Sequence, residues 1–295
     1  MAQAVPINAD EFIEQQLDVR IVAIQRAMQA DCIAVWGPLI NGVDDIIRAE
    51  IEELKKRSKK GKLVVVLTTP GGAVEVTQRI AETLRHHYTV VEFVVPNSAF
   101  SAGTVLVMSG DAIHMDYYSR LGPIDPQVQT KEGKFVPALG YLEKYNALIE
   151  KAKQGQLSLP EAHLLIDGFD QAELYQYEQA RDLSVALLKE WLAKYKFKDW
   201  TITETRKQTV TPAMKVARAA EIADQLNEIK RWHSHGRGIS RAVLERDLNL
   251  RINDLDANPG LNKTIKNYHH LLDDYMSKRR TRGVVHRYGA YEPFM

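Results

Sequence analysis

The sequence predicts an α/β protein built on a parallel β-sheet. Two observations lead to this prediction. Short apolar runs rich in β-branched residues, such as KLVVVLTT (62–69), alternate with stretches whose apolar residues recur at helical spacing. In addition, helices follow strands directly through turns of small residues, as in βαβ units with right-handed crossovers. At 295 residues the chain is long enough for one large domain with additions.

The predicted elements alternate between strand and helix in the first half of the chain and become mainly helical in the second half. Residues 10–29 have the loose helical spacing of an amphipathic segment. The next elements are predicted in this order: strand 32–39, helix 42–60, strand 62–69, helix 73–87, strand 89–96, a corner and apolar segment at 101–110, and a short strand at 112–116. A loop rich in Pro and Gly then precedes helices at 138–153, 171–196 and 211–232, a loop, short helix and short strand within 233–255, and another helix in the tail.

The charge composition argues against a nucleic-acid-binding protein. Lys plus Arg (39) nearly balances Asp plus Glu (38), so the whole chain generates no strong field toward polyanions. One basic cluster, 278–287, is the sole candidate for such contacts, and we interpret it as a solvated tail. Its cationic candidates are Lys278, Arg279, Arg280 and Arg282.

The sequence also suggests a cytoplasmic protein. A single cysteine, Cys32, excludes an internal disulfide and is expected to be a small core residue. The N-terminal residues contain no basic stretch followed by an apolar one, and the longest aliphatic run, Leu63 to Leu67, is too short to span a bilayer.

The first turn of chemical interest is Thr69-Pro70-Gly71-Gly72, between a predicted strand and the next helix. Unpaired N–H groups at a helix start favour anions and oxyanions. Two adjacent glycines permit positive φ angles and a close approach of the backbone to a ligand. A tight structural turn is the alternative interpretation.

The second turn, residues 96–104, contains the small residues that a sharp strand-to-helix corner needs to present a hydroxyl group. Ser98 or Ser101 could each simply cap the helix. Because consecutive strands of a parallel sheet usually lie side by side, we expect the two corners to face one crevice.

These segments carry a resemblance to a known family. The runs VVVLTTPGGAV and SAFSAGTVLVMSG resemble the Clp protease subunit and signal peptide peptidase A, and TPGG, SAFSAGT and SRLGPIDPQ together resemble the serine dehydrogenase proteinases of the same clan. The resemblance covers about residues 32–255. It implies a Clp-protease/crotonase fold, Ser101 as nucleophile, and an oxyanion hole formed by the N–H groups of Gly72 and Ala102.

The resemblance also implies a division of the chain and a way of acting. The expected parts are an N-terminal helical arm (1–31), a serine hydrolase domain (32–255, largely helical in 138–232) and a basic helical tail (256–295). The expected activity is hydrolysis of peptide bonds in extended or unfolded polypeptides by a homo-oligomer without cofactor or metal. Residues 10–29 and the C-terminal helix are the expected contact elements of that oligomer.

The general base is not identified by the resemblance, because Ser119-Arg120 is followed by LGPIDP where the Clp relative has a histidine. One hypothesis is a triad in which His235 is the base for Ser101 and Asp125 orients the imidazole. His233 is the less favoured alternative to His235.

Signal peptide peptidases use a lysine base instead. By position the candidates are Lys144 in a predicted helix, Lys134 in the preceding loop and, less favoured, Lys151. Burial against the segment LGYL would make Lys144 a better base. The contest between the lysines and the Asp125–His235 pair stays open.

The loop SRLGPIDPQ is a candidate border of the substrate groove. Gly71, Leu121, Gly122 and Pro123 are the expected substrate-binding residues, and Leu121 to Gln127 could offer backbone to an extended peptide as an added strand. A structural turn fixed by proline is the alternative.

Two rival functions remain on the same predicted fold. A crotonase-like acyl-CoA enzyme would use the same glycine amides to polarise a thioester but would not require a serine at position 101. A catalytically inactive peptide-binding scaffold would lack a base near Ser101. Metal binding by His86-His87 is not expected, because the pair ends a predicted helix, where histidines favour the C-terminal dipole. Metal binding by His269-His270 is not expected either, because this pair has no third convergent ligand in the sequence.

Overall fold

The computed structural model describes residues 8–124, 127–129, 135–232, 234 and 236–295. Its strands are β1 (Asp31–Trp36), β2 (Lys62–Thr68), β3 (Val90–Val95), β4 (Ser98–Ala99), β5 (Ala112–Met115), β6 (Arg120–Leu121), β7 (Gln127–Gln129), β8 (Phe135–Pro137), β9 (Ile239–Ser240), β10 (Asn253–Asp254), β11 (Val284–Arg287) and β12 (Ala290–Pro293). Its α-helices are α1 (Ala9–Met28), α2 (Val43–Arg57), α3 (Val74–His87), α4 (Ala102–Val107), α5 (Ala138–Lys153), α6 (Leu159–Asp167), α7 (Gln171–Trp191), α8 (Pro212–Leu226), α9 (Ile229–Trp232), α10 (Arg241–Leu248) and α11 (Pro259–Arg279).

The central sheet confirms the predicted α/β class. Across the described residues its strand order is β10-β5-β3-β2-β1-β11-β12. The pairs from β10 to β1 are all parallel, whereas β11 and β12 add an antiparallel edge. Two smaller sheets, β4-β6-β9 and β7-β8, lie outside it. Parallel strands place their C-terminal ends, and hence the loops that follow β2 and β3, on one edge of the sheet.

Helices cover both faces of this sheet, because successive strand residues point to opposite sides. One face contributes Ile33, Val65 and Phe93 to a core shared with α2, α3, α4, α7 and α8. The opposite face contributes Cys32 and Val64 to a core shared with α1 and α11. Cys32 is fully buried, as expected from the sequence, and this burial raises the pKa of its thiol.

The segments predicted as an arm and a tail lie on this same sheet. Helix α1 packs against α11, and β11 pairs with β1 through Ile33 and Arg287. The interpretation of 278–287 as a solvated tail is therefore wrong for Val284–Arg287, which are buried. There are two physical reasons. Val284 and Val285 favour a buried strand, and Gly289, with a φ of 76°, allows the chain to reverse into β12. Arg287 forms a buried ion pair with Glu50.

Helix α6 was not predicted, since its sequence was interpreted as part of a connection. Its start carries a capping box: the hydroxyl of Ser158 accepts from the Glu161 N–H, and the Glu161 carboxylate accepts from the Ser158 N–H. Pro160 in the first turn adds a second start signal. Within the described part of the chain, no helix is long and apolar enough to cross a membrane.

We expect His269 on α11 to make stability depend on pH. Its ring stacks on Trp36 with centroids 4.4 Å apart, and its Nε2 lies 3.3 Å from the hydroxyl oxygen of Thr68. Burial lowers the pKa of His269 to about 4. Between this pKa and the usual histidine value of about 6.5, the unfolded chain therefore binds a proton at His269 that the folded chain does not bind. The contribution of neutral His269 to the free energy of unfolding is complete above about pH 6.5. It is lost as the pH falls toward 4, by at most about 3 kcal/mol.

Urea unfolding at pH 7 and pH 4.5 checks this expectation. His269→Phe keeps the stacking surface but cannot titrate, so its free energy of unfolding should change less between the two pH values than that of the unsubstituted protein. His163→Gln at an exposed position on α6 is the control and should retain the full pH dependence. Equal pH dependence in all three proteins would contradict the role given to His269.

Candidate active site

The two corners of interest lie side by side, as the sequence predicted. Strands β2 and β3 are parallel neighbours, and their continuations form a bridge between Thr69 and Ala99. The Thr69 N–H donates to Ser98 O at 2.9 Å, and the Phe100 N–H donates to Thr69 O at 3.0 Å. The glycine turn and the serine corner are therefore joined by backbone hydrogen bonds at the C-terminal edge of the sheet.

Gly71 packs directly against the serine corner. A Cβ atom at this position would lie 2.8 Å from both Ser101 Cβ and Phe100 O, closer than side chains approach one another. The φ angle of Gly71 is 106°, and its N–H donates to the hydroxyl of Thr69 at 3.0 Å. A glycine is needed here for two reasons, the positive φ and the contact with Ser101.

Gly72 is held on its other side by the loop after β1. The Leu39 N–H donates to Gly71 O at 2.8 Å, and the Ala73 N–H donates to Leu39 O at 2.9 Å. In this parallel bridge the N–H of Gly72 itself points away from Leu39. Among the described residues, this N–H has no acceptor.

Ser101 occupies the N-cap position of α4 in a rarely populated backbone conformation, with φ 51° and ψ −122°. Its side chain is half-buried and makes no capping hydrogen bond. The interpretation of Ser101 as an ordinary helix cap therefore does not describe its hydroxyl. Non-glycine residues held in such conformations cost about 1–3 kcal/mol and cluster at functional sites.

The small residues after Ser101 allow α4 to approach the glycine turn. Ala102 is the first residue of α4, so its N–H has no acceptor within the helix. A Cβ atom at Gly103 would overlap the methyl group of Thr69, which is itself buried. The sequence SAGT is thus required by packing as well as by the corner itself.

The loop after β6 is buried rather than open. Leu121, Gly122, Pro123 and Ile124 are all buried, and β6 is paired on both sides, with β4 and with β9. The prediction that Leu121 offers a free strand edge to a peptide is therefore wrong, because its backbone neighbours already occupy both edges. Contact of Gly122 or Pro123 with substrate stays a prediction.

The candidates for the general base lie mostly outside the described residues. This applies to Lys134, His233 and His235, and also to Asp125, the predicted orienting residue. Of the other two, Lys144 is exposed on α5, without the burial expected of a lysine base. Lys151 is also exposed, and its Nζ forms an ion pair with Glu161 at 2.6 Å.

Strand β9, which begins four residues after His235 in the sequence, lies beside β6. Strand β9 runs antiparallel to β6, with Ile239 opposite Leu121. A Cβ atom at Gly238 would lie 2.8 Å from the side chain of Arg120. Gly238, which immediately precedes β9, therefore lies against Arg120 of β6.

Two buried threonines at the site were not singled out in the sequence. The Thr69 hydroxyl accepts from Gly71, and the Thr104 hydroxyl contacts Ala99 and Gly122. Both residues follow or precede the small-residue motifs, in TTPGG and SAGT, and this proximity is the only signal that could have identified them. Within the described residues, no group of three His, Cys, Asp or Glu side chains is arranged to hold a metal ion.

Comparison with known protein families decides the membership of the chain. The model of the family described as ClpP-like SDH-type serine proteinase matches residues 39–209, more than half of the chain. The chain belongs to this family. As a ClpP-like SDH-type serine proteinase, it has both corners inside the matched range, which begins at Leu39, the partner of Gly72. Asp125, Lys134 and Lys144 also fall within that range, whereas His235 lies beyond it.

Two relatives of this ClpP-like SDH-type serine proteinase come from Methanocaldococcus jannaschii, and both carry the name uncharacterized protein. MJ1495 is 27% identical over 178 residues, which cover 58% of this chain and 56% of that protein. MJ0137 is 34% identical over 89 residues, which cover 30% of each. The chain thus spans about half of one relative and less than a third of the other.

Two solved structures of the 1510-N membrane-bound stomatin-specific protease are also similar. Both are mutant forms, and one is in complex with a substrate peptide. They are 13% identical to this chain, cover 77% and 76% of it and 79% and 74% of their own chains, and superimpose with TM-scores of 0.45 and 0.46.

Proposed function

We propose that this chain is a serine peptidase that hydrolyses peptide bonds in extended or unfolded polypeptides through an acyl-enzyme on Ser101. The observation that carries the proposal is the conformation of Ser101. Its side chain starts from a strained corner, makes no capping bond and has its Cβ against the Gly71 turn. Membership in the serine proteinase family supports the same assignment.

In the proposed reaction the Ser101 oxygen attacks the carbonyl carbon of the scissile bond and loses its proton to the general base. The N–H groups of Gly72 and Ala102 stabilise the oxyanion that forms, since preorganised donors at this point stabilise developing charge. The tetrahedral intermediate then collapses, and the base returns the proton to the leaving amine. A water molecule, deprotonated by the same base, hydrolyses the ester and restores Ser101.

We propose His235 as the base and Asp125 as the residue that orients it. The antiparallel pairing of β9 with β6 supports this choice, because it places Gly238, three residues after His235 in the sequence, beside the start of the segment that leads from Leu121 to Ile124, just before Asp125. The exposed side chain of Lys144 argues against the lysine alternative at that position.

A fluorophosphonate probe and a peptide or ester substrate test the proposal together. The folded protein should be labelled at Ser101, and His235→Ala should lower hydrolysis by about 10³-fold or more. Lys144→Ala is the matched control and should leave hydrolysis within about threefold of the unsubstituted rate, the range typical of a surface position away from the site.

Two outcomes would contradict the proposal. If the folded protein repeatedly fails to react with the probe, the serine peptidase is wrong, and the acyl-CoA enzyme or the inactive scaffold takes its place. If His235→Ala stays active while Lys144→Ala is inactive, Ser101 is still the proposed nucleophile but the proposed triad is wrong. A homo-oligomer also stays a prediction, and sedimentation equilibrium of the purified protein tests it.

A further inference from the structure

The hydroxyl of Thr104 links the helix that carries Ser101 to the loop after β6. Thr104 is fully buried in the first turn of α4. Its Oγ1 accepts from the Gly122 N–H at 2.9 Å and lies 2.8 Å from Ala99 O and 3.0 Å from Gly122 O. Because a hydroxyl has a single proton, it donates to one of the two carbonyls at a time.

This hydroxyl bridges two groups of the β4–β6 ladder. The strands are parallel, with Ala99 opposite Leu121, and the Arg120 N–H donates to Asn97 O at 2.8 Å. The next rung of such a ladder joins the Gly122 N–H to Ala99 O. The Thr104 hydroxyl contacts both of these groups, so a side chain of α4 connects them by hydrogen bonds.

The link is short. The Thr104 N–H donates to Ser101 O at 2.8 Å, so one residue connects the serine corner to Gly122. Gly122 in turn packs on Phe100, since a Cβ atom at Gly122 would lie 2.6 Å from the Phe100 ring. A buried polar group that loses its hydrogen-bond partner is destabilised, so removal of the hydroxyl should release Gly122 from this position.

We propose that Thr104 is a positioning residue that fixes Gly122 and Pro123 relative to Ser101 and thereby sets the fit of the polypeptide substrate. The inference rests on the proposed function and on the prediction that this loop borders the substrate groove. Among the described residues, the hydrogen-bond partners of the Thr104 hydroxyl are backbone groups of Ala99 and Gly122, not the Ser101 hydroxyl. Loss of its hydroxyl therefore changes substrate binding and spares the reactivity of Ser101 toward a small probe.

Kinetics of Thr104→Val and Thr104→Ser test the proposal. Thr104→Val should raise the KM for a peptide by about tenfold or more, with kcat and the rate of fluorophosphonate labelling within about threefold of the unsubstituted protein, because a group that acts on binding alone changes KM. Thr104→Ser retains the hydroxyl and should restore KM. An unchanged KM in folded Thr104→Val, or an equal loss of labelling and hydrolysis, would overturn the proposal.

Thr77→Val is the matched control. Thr77 is also fully buried and donates its hydroxyl to Ala73 O at 3.0 Å within α3, so its loss has a similar packing cost without a link to Gly122. Its KM should stay unchanged. A rise in KM equal to that of Thr104→Val would show a general loss of packing and would overturn the positioning role.

Amide hydrogen exchange keeps the proposal testable if Thr104→Val does not fold. In the unsubstituted protein and in Thr104→Ser, the Gly122 amide should exchange as slowly as the Arg120 amide. Exchange of the Gly122 amide at the rate of a free amide would contradict the proposed link between Thr104 and Gly122. This measurement needs no activity, so failure of probe labelling would reject the proposed function while the exchange still decides the Thr104 link.

Discussion

Replacement of Ser101 by alanine should lower peptide hydrolysis by about 10⁴-fold or more and eliminate fluorophosphonate labelling. The reason is that the proposed reaction proceeds through an ester on this hydroxyl, and loss of a nucleophile of this type costs about 10⁴ to 10⁶ in kcat. The measurement is the single-turnover rate of purified protein, with folding followed by circular dichroism. Hydrolysis within tenfold of the unsubstituted rate would reject Ser101 as the nucleophile.

Ser101→Gly separates the catalytic role from the fold. The φ of 51° and ψ of −122° at this residue suit glycine better than serine. This variant should be as inactive as Ser101→Ala. Its free energy of unfolding, measured with urea, should be higher than that of Ser101→Ala by about 1 kcal/mol, because the relief of backbone strain exceeds the cost of the greater entropy that glycine gives the unfolded chain. A Ser101→Gly protein less stable than Ser101→Ala would show that the corner is not strained.

Gly72→Ala should give the second large effect, on both stability and catalysis. A Cβ atom at Gly72 would lie 2.8 Å from Leu39 N and closer still to the Leu39 carbonyl, which belong to the backbone and have little freedom to move. The turn must therefore shift, at a cost of about 2–3 kcal/mol. The same shift displaces the proposed oxyanion donor, whose loss should lower kcat by about 10² to 10³.

Gly42→Ala is the matched control for this prediction. Gly42 also has a positive φ, 96°, but a Cβ atom there would meet no other atom within 4 Å. It should therefore show a conformational cost of about 1 kcal/mol and full activity per folded molecule. If Gly72→Ala keeps full kcat once folded, its N–H does not belong to the oxyanion hole. If both variants lose the same stability, the clash with Leu39 is not the cause.

The two corners could be predicted from sequence because both depend on local chemistry. A turn that needs positive φ and close contact selects Gly71, and a helix that starts against another turn selects Gly103. Parallel neighbours then bring the corners together without any further information. The Ser101 conformation extends the prediction, because it distinguishes a strained corner from an ordinary cap.

The base and the substrate loop could not be predicted with the same success. The identity of the base depends on which loop, distant in the sequence, lies next to Ser101 in the fold. The number of residues between Ser101 and His235, or between Ser101 and Lys144, does not determine how far apart the side chains lie in space. Leu121 reads as an open loop residue in sequence, but β9, more than a hundred residues later, occupies one of its edges. Thr104 was overlooked because a threonine gains its role only from the backbone groups that surround it.

The sequence by itself determined the alternation of strands and helices, the parallel sheet, and the presence of a glycine turn and a serine corner, because periodicity and turn chemistry are local properties of the chain. Only the tertiary structure decided that the C-terminal Val284–Arg287 completes the sheet, that β6 has no free edge, and that the Thr104 hydroxyl joins two strands. These features depend on pairing between residues far apart in the sequence. The fold of the whole chain selects the partner of each such residue, so the local sequence around the residue does not reveal that partner.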